Sequence, residues 1–331
     1  MSAIEVNELS KTFRVFSRRE GVMGSVKDLF HREYSDLNAV DKISFSIEQG
    51  EIVGYIGPNG AGKSTSIKML TGILKPTSGE MNVLGFHPFK DRKAYTKHIG
   101  VVFGQRTQLW WDIAVIESFK LLGKIYEVPK ADFDQRLEML TDILGMKEFL
   151  HTPVRKLSLG QRLRSDLAAS LLHGPKILFL DEPTIGLDAV AKDSIRTFLR
   201  KINQEMKTTV LLTTHDLKEI EELCERIVVV DHGKIIYDGD LKKIRTLPGL
   251  GKNIVIDFAG PAPVDALCEK FSGKAEFEKL SERRVEVQYD PQSLPTVSLV
   301  QDIVGSFEIA DFNISEPDIE EVIMKIYRDG V

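Results

Sequence analysis

The sequence of 331 residues contains no long apolar run, and its longest aliphatic stretches, such as residues 227–230, span about four residues. A helix that crosses a bilayer needs roughly 18 to 20 apolar residues, so we expect no segment of this chain to span a membrane by itself. The amino terminus carries an acid at Glu5 and lacks the apolar core of a secretory signal. We therefore expect no such signal.

Cysteine is scarce, and Cys224 and Cys268 are the only two. They lie far apart without CxxC or His-rich spacing, which argues against a metal centre and favours structural thiols in a reducing compartment. Positive charge is not in excess either, because the formal net charge is −5. This mild acidity disfavours nucleic acid as a partner.

Short apolar strands alternate with helical spacing from about residue 40 onward, which predicts an α/β domain with a largely parallel sheet. A helix is expected over residues 63–73. Between about residues 112 and 172 the spacing is purely helical, which indicates a helical insert within this domain, and we expect the helical subdomain to cover about residues 106–172. The strands are predicted at residues 43–47, 52–56, 100–103, 177–180, 210–214 and 227–230.

Two further segments interrupt or follow this pattern. Residues 14–36 are mixed in charge and form an insert, either a surface arm that packs on its own domain or a contact to a membrane or partner. From about residue 250 the order becomes strand, helix, two strands, helix, strand and a final helix, which predicts a small α+β domain of the ferredoxin-like type. We expect a first domain over 1–245 and an accessory domain over 252–331, with turn formers at 247–251 between them.

A complete P-loop pattern follows the strand predicted at residues 52–56 and precedes the predicted helix. Its glycines let backbone N–H groups turn inward around the β- and γ-phosphates, Lys63 neutralises phosphate oxygens, and Ser64 can ligate Mg²⁺. This context predicts binding of ATP and Mg²⁺. The expected nucleotide-binding residues here are Gly57, Pro58, Asn59, Gly60, Ala61, Gly62, Lys63, Ser64 and Thr65.

A P-loop needs an acidic magnesium partner at the end of another buried strand, and Asp181 follows the apolar run at 177–180. We expect Asp181 to hold Mg²⁺. Glu182 comes next and is placed to polarise a water molecule for in-line attack on the γ-phosphate. The pair therefore predicts hydrolysis as well as binding.

Residues 157–162, Leu-Ser-Leu-Gly-Gln-Arg, open a helix just before the Asp181 strand. They resemble the LSGGQ signature of the ATP-binding cassette (ABC) family, in which two cassettes enclose two ATP molecules and each signature completes the partner's site. Ser158, Gly160 and Gln161 suit that task, because a hydroxyl, a bare N–H and a helix N-terminus bind anions. Leu159 departs from the glycine that the family usually has.

The other parts of the family's site also appear in order. Gln105 resembles the glutamine that senses Mg²⁺ and joins the site to the helical insert, with Gln108 as a rival. Asp188 resembles the D-loop aspartate, and His215 resembles the switch histidine that contacts the γ-phosphate.

The aromatic side chain that stacks on adenine is expected to be Phe13, with Phe16 or Tyr34 as alternatives. Trp110 and Trp111 follow the proposed glutamine loop, where a permease helix docks in the resembling family. Because neighbouring residues on a regular element face different ways, we expect one tryptophan to be buried and the other to line a docking surface.

The resemblance covers roughly residues 4–245 and implies an ATPase that acts as a homodimer or cassette pair. The whole chain looks most like the bacterial subunits of ABC-2 type exporters, which implies polytopic permease partners at the cytoplasmic face of the inner membrane. The main alternative is a non-transport cassette ATPase that acts on the ribosome or nucleic acid. A nucleotide switch without turnover is a third possibility, which Glu182 and His215 argue against.

Overall fold

The computed structural model of the chain describes residues 2–16, 34–104, 106–244, 252–291, 293–315 and 319–329. It divides into two compact units, Met1–Gly239 and Asp240–Val331. Most of the predicted insert, residues 17–33, and the turn formers at 247–251 lie outside the described residues.

The first unit combines two sheets with helices that follow their strands. Its strands are β1 (Ser2–Phe16), β2 (Tyr34–Glu48), β3 (Ile52–Ile56), β4 (Ser78–Val83), β5 (Ile99–Phe103), β6 (Ile177–Asp181), β7 (Thr209–Thr213), β8 (Arg226–Asp231) and β9 (Lys234–Asp240). Its helices are α1 (Lys63–Leu70), α2 (Arg92–Tyr95), α3 (Val115–Ile125), α4 (Lys130–Ile143), α5 (Leu159–Leu171), α6 (Ala189–Met206) and α7 (Leu217–Leu223), with 3₁₀ turns at Thr96–His98 and Val154–Lys156.

The larger sheet has the strand order β5-β6-β7-β3-β8-β9, and its neighbours from β5 to β8 run parallel. Every residue of β7 and the first four of β6 are buried, because a parallel sheet is covered on both faces. This confirms the predicted fold class. The carboxyl ends of parallel strands meet at one edge, so the segments that follow β3, β6 and β7 lie side by side there.

A second sheet, with the order β2-β1-β4, is antiparallel and was not foreseen from the sequence. Register shifts between Val6 and Leu9 break the alternation that would reveal β1. The ladder between β1 and β2 continues to the pair Phe16 and Tyr34. Residues 14–16 and 34–36, predicted to belong to an insert, are therefore strand.

Both sheets share one core of buried side chains with α1, including Ile4, Ile47 and Ile67. Within this core the Tyr55 hydroxyl lies 3.1 Å from Ser66 Oγ, and both residues are buried. Tyr55 belongs to β3 and Ser66 to α1, so this hydrogen bond joins the elements on either side of the predicted P-loop.

The predicted helical insert is present as α3, α4 and α5. Its α3 buries one face through Val115, Ile116 and Phe119. Helix α5 lies directly on β5, because a Cβ atom at Gly100 would come 2.4 Å from the Ser170 carbonyl oxygen. Only glycine permits this approach.

The second unit has the predicted strand and helix order. Its antiparallel sheet has the order β11-β12-β10-β13, and its buried side chains form a separate core that includes Ile254, Val287 and Leu299. Its elements are α8 (Leu241–Ile244), β10 (Lys252–Phe258), α9 (Val264–Lys270), β11 (Ala275–Lys279), β12 (Arg284–Tyr289), α10 (Thr296–Val304), β13 (Ile309–Ser315) and α11 (Ile319–Asp329).

Across the described residues, no helix combines the length and the apolar composition that a membrane crossing requires.

Candidate active site

The predicted P-loop connects β3 to α1, as its pattern requires. Gly60 and Gly62 have φ angles of 86° and 104°, in the left-handed region that favours glycine. A Cβ atom at Gly57 would lie 2.2 Å from the Val230 carbonyl oxygen, and one at Gly62 would lie 2.4 Å from the Ala39 carbonyl oxygen. The loop is thus packed closely between β2 and the end of β8, and Gly57 and Gly62 have no room for side chains, whereas Gly60 is set by its φ angle alone.

Lys63 is the first residue of α1 and is buried. Its Nζ donates to the carbonyl oxygens of Gly57 at 2.6 Å and Pro58 at 3.1 Å, so the ammonium group lies across its own loop. Burial lowers the pKa of Lys63, although the carboxylates of Glu182 and Asp181 act in the opposite direction. A buried ammonium group within a glycine-rich loop that leads into a helix N-terminus favours an anionic ligand.

Asp181, the last residue of β6, connects the ends of three elements. Its Oδ1 accepts hydrogen bonds from Ser64 Oγ of α1 at 3.1 Å and from Thr213 Oγ1 of β7 at 2.7 Å. Strand β7 lies between β6 and β3, so the Ser64 hydroxyl reaches across the end of one strand to meet this carboxylate. Ser64 and Asp181 form an oxygen pair of the kind that hard divalent cations bind.

Glu182 follows Asp181 in a left-handed conformation, with φ of 50°, which is uncommon outside glycine and often found at functional sites. Its N–H donates to both the carbonyl oxygen and Oγ1 of Thr213, at 3.0 and 3.1 Å. His215 Nδ1 lies 3.7 Å from Glu182 Oε2, too far for a direct hydrogen bond. The structure therefore brings Lys63, Ser64, Asp181, Glu182 and His215 to one edge of the sheet.

The signature segment opens α5 with a complete capping box. Gln161 N–H donates to Ser158 Oγ at 3.2 Å, and Ser158 N–H donates to Gln161 Oε1 at 3.0 Å. Leu159 is exposed and lies beside Gly186, where a Cβ atom would come 3.1 Å from its Cδ2. The substitution of leucine for the usual glycine therefore leaves the helix start intact.

Asp188 caps α6, and its Oδ1 accepts from the Ala191 N–H at 2.8 Å. The starts of α5 and α6 enclose a groove of about 330 Å³, whose lining includes Gly160, Leu187 and Asp188. This groove places the predicted signature and D-loop residues on one surface.

Of the two glutamine candidates, Gln108 belongs to the described residues and Gln105 does not. Gln108 is bound to α5, since its N–H donates to Asp166 Oδ1 and its Nε2 donates to the Asp166 carbonyl oxygen, each at 3.0 Å. Gln108 is thus already engaged within the helical segment.

Of the three adenine-stacking candidates, Phe13 lies on one face of the β1–β2 ladder, and Phe16 and Tyr34 lie on the other. Phe16 pairs with Tyr34, and their ring centroids are 6.0 Å apart. Phe13 pairs with Leu37 and carries Lys11 Nζ at 5.1 Å from its ring centroid. Because alternate residues face opposite sides of a strand, Phe13 and Phe16 cannot contact the same ligand face.

Sequence reasoning missed Thr213 and Gly104. Thr213 holds Asp181 and Glu182, and a Cβ atom at Gly104 would come 2.0 Å from the Glu182 carbonyl oxygen. The sequence signal for Thr213 was its place at a strand end two residues before His215. Its contact with Asp181 could not be predicted, because it depends on the pairing of β7 with β6.

The comparisons with known proteins agree with this geometry. Residues 40–185 match the ABC transporter family. The ABC transporter ATP-binding protein NatA of Bacillus subtilis is 34% identical over 208 residues, which are 63% of this chain and 84% of NatA. The chain belongs to the ABC transporter ATP-binding family.

Two further comparisons describe the extent of the likeness. The linearmycin resistance ATP-binding protein LnrL of Bacillus subtilis is 27% identical over 300 residues, which are 89% of this chain and 95% of LnrL. The cassette MJ0796, in a dimeric post-hydrolysis state bound to ADP and Pi, superposes with a TM-score of 0.60 and 26% identity over 72% of this chain and 98% of its own. The protein is thus an ABC ATPase that binds ATP.

The contacts of Thr213 predict that Thr213→Val lowers the turnover of ATP about 10- to 100-fold, the usual cost of losing a group that orients a metal-binding carboxylate. Valine has a similar shape, so circular dichroism should show the parent fold. Thr209→Val is the matched control, because Thr209 is also buried in β7 but its hydroxyl contacts Gly50 instead. Turnover by Thr213→Val equal to that of the control would exclude the orienting role.

Proposed function

We propose that this chain is the ATP-hydrolysing subunit of an ABC-2 type export transporter, in which two cassettes close on ATP and drive paired membrane permeases. The observation that carries the ATPase part is the Asp181 carboxylate, which meets Ser64 and Thr213 directly beside Glu182. We assign the ATPase to residues 1–245, with a helical subdomain at about 106–172, and treat residues 252–331 as an accessory domain.

The phosphates of ATP are assigned to the loop from Gly57 to Thr65. Its inward N–H groups, the N-terminus of α1 and the Lys63 ammonium supply positive charge for the β- and γ-phosphates. Phe13 on β1 is the proposed adenine platform. Its cross-strand partner Leu37 lies on β2, two residues before Ala39, and Ala39 lies next to Gly62 of the loop.

The residues present fit Mg²⁺, since Ser64 Oγ and Asp181 Oδ1 lie 3.1 Å apart and both are oxygen donors. Gln105 is proposed as a further ligand. When bound, the ion supplies charge neutralisation at the phosphate oxygens. Thr213 keeps the Asp181 carboxylate oriented toward Ser64.

Glu182 is proposed as the general base that takes a proton from the attacking water. Its backbone is held by two hydrogen bonds to Thr213, so its side chain starts from a defined position. His215 is proposed to contact the γ-phosphate, and its ring is more than half exposed, which leaves it free to turn toward the ligand.

The signature residues are proposed to complete the site of a second cassette. Ser158, Gly160 and Gln161 open α5, and Asp188 lies across the same groove. The dimeric state of the cassette MJ0796 supports this arrangement.

A permease is proposed to dock at Trp110 and Trp111. The expectation that one ring is buried was wrong: the two tryptophans are 41% and 47% exposed. Both precede α3 in irregular chain, where the alternation of a regular element does not apply. Two neighbouring exposed indoles form an anchor of the type found at interface centres.

Export is favoured by LnrL, whose name describes resistance to linearmycin and which matches 89% of this chain. The methionine import ATP-binding protein MetN 2 of Enterococcus faecalis also matches, but over 67% of this chain. Permease association would place the subunit at the cytoplasmic face of the inner membrane. The alternative is a non-transport cassette ATPase.

Replacing the proposed base gives a direct test. Glu182→Gln should lower the turnover number at least 100-fold while changing the Kd for ATP less than about twofold, because the phosphate loop is untouched. An ATP-stabilised dimer should then accumulate in size-exclusion chromatography. Glu225→Gln, at an exposed site, should behave as the parent, and parent-like turnover by Glu182→Gln would rule out this residue as the base.

The docking surface is tested by Trp110→Ala. Trp111 is less suited, because the Arg162 guanidinium lies 4.6 Å from its ring centroid. Trp110→Ala should co-purify at least tenfold less with polytopic membrane proteins than the parent does, while its melting temperature stays near that of the parent. Leu280→Ala, which removes a 47% exposed side chain from the second unit, is the control. Recovery of Trp110→Ala complexes at the control level would refute docking at this residue.

A further inference from the structure

Helix α5, which begins at the signature, carries a buried acid near its middle. Asp166 is 5% exposed, while the helix otherwise buries mainly small and apolar side chains around it. A buried carboxylate is expensive unless its oxygens accept hydrogen bonds, so its partners indicate what it is for.

The partners of Asp166 lie on a single short segment that follows β5. Its Oδ1 accepts from Thr107 Oγ1 at 2.9 Å and from the Gln108 N–H at 3.0 Å. A third hydrogen bond links the two segments, because Gln108 Nε2 donates to the Asp166 carbonyl oxygen. Residues 107 and 108 are therefore fastened to α5 by side chain and backbone together.

A second contact joins the same segment to the same face of the helix. Arg162 precedes Asp166 by four residues, one turn closer to the signature, and its guanidinium lies over the Trp111 ring at 4.6 Å. Arg162 Nε is buried without a hydrogen-bond partner among the described residues. The segment 107–111, which we call the α5 strap, thus follows α5 back toward Ser158.

The ionised side chain of Asp166 lowers the free energy of unfolding, because it is buried. Burial raises the pKa of Asp166 to about 6, although the bonds from Gln108 and Thr107 and the charge of Arg162 lower it. Because the carboxylate ionises less readily in the folded protein than in the unfolded chain, its charge lowers stability at neutral pH. A residue kept for stability alone would not need that charge.

We propose that Asp166 is a positioning residue of the ATPase reaction, which fixes the α5 strap to α5 and so holds Ser158 and Gly160 in the orientation that ATP on a partner cassette requires. This rests on the proposed two-cassette function. Asp166 acts through the helix and does not touch the nucleotide, so it should affect closure of the pair more than binding of ATP to one chain.

The test measures dimerisation in a background that cannot turn over. Glu182→Gln is compared with Glu182→Gln/Asp166→Ala by calorimetry for the Kd of ATP and by analytical ultracentrifugation for the dimer constant with ATP. The alanine variant should bind ATP within twofold of its parent but dimerise at least tenfold more weakly. In the active background, Asp166→Ala should lower kcat about tenfold with little change in KM.

The conservative variant separates positioning from general damage. Asp166→Asn retains an oxygen that accepts from Thr107 and Gln108, so dimerisation should return to within threefold of the parent. It should also melt at the same temperature as the parent or higher, because the cost of ionisation is gone. Asp134→Ala, an exposed acid on α4, is the control for loss of charge.

Each outcome bears on the proposal. Dimerisation of the alanine variant at the parent level, or an asparagine variant as weak as alanine, would overturn it. If Asp166→Ala does not fold, Thr107→Val replaces it, since this variant removes one donor and leaves the acid; unchanged dimerisation would then overturn the proposal. Failure of Glu182→Gln itself to dimerise with ATP would refute the two-cassette function and this inference with it.

Discussion

The hydrogen bond between Ser64 and Asp181 depends on the order of strands in the parallel sheet. Strand β7 separates β3 from β6, so the two residues meet only where all three strands end at the same edge. Thr213 at the end of β7 fills the position between them and donates to the same oxygen. The fold thus brings the ends of β6 and β7 and the start of α1 together into one cluster of oxygens.

Charge within this cluster explains why it suits a nucleotide. Lys63 is buried beneath its own loop, and burial lowers its pKa, although the nearby carboxylates of Glu182 and Asp181 offset part of that effect. A triphosphate adds negative charge to a site that already holds two acids, and the proposed function answers this with Lys63, the helix N-terminus of α1 and a divalent cation together.

The sequence could predict those residues whose role is defined by their immediate neighbours along the chain. The P-loop, the acids that end β6 and the Ser158 cap are each defined by neighbours within a few positions, and the structure places them in the expected context. Thr213 and Asp166 escaped prediction because their partners are distant in sequence, and strand register or helix packing brings them together. The sheet built on β1 was not predicted because bulges disturb the alternation of its side chains. The exposure of Trp111 was not predicted because this residue lies in a turn, where side chains do not alternate.

The central claim, that the loop around Lys63 binds the phosphates of ATP, is tested most directly by calorimetric titration of Lys63→Ala with ATP. Removing the buried ammonium that donates to the loop carbonyl of Gly57 should weaken binding at least tenfold, since charge-assisted contacts to phosphate are lost. Lys68→Ala, on the exposed side of α1, should bind as the parent does. Equal affinity of Lys63→Ala and the parent, in protein with the parent's circular dichroism, would contradict the account.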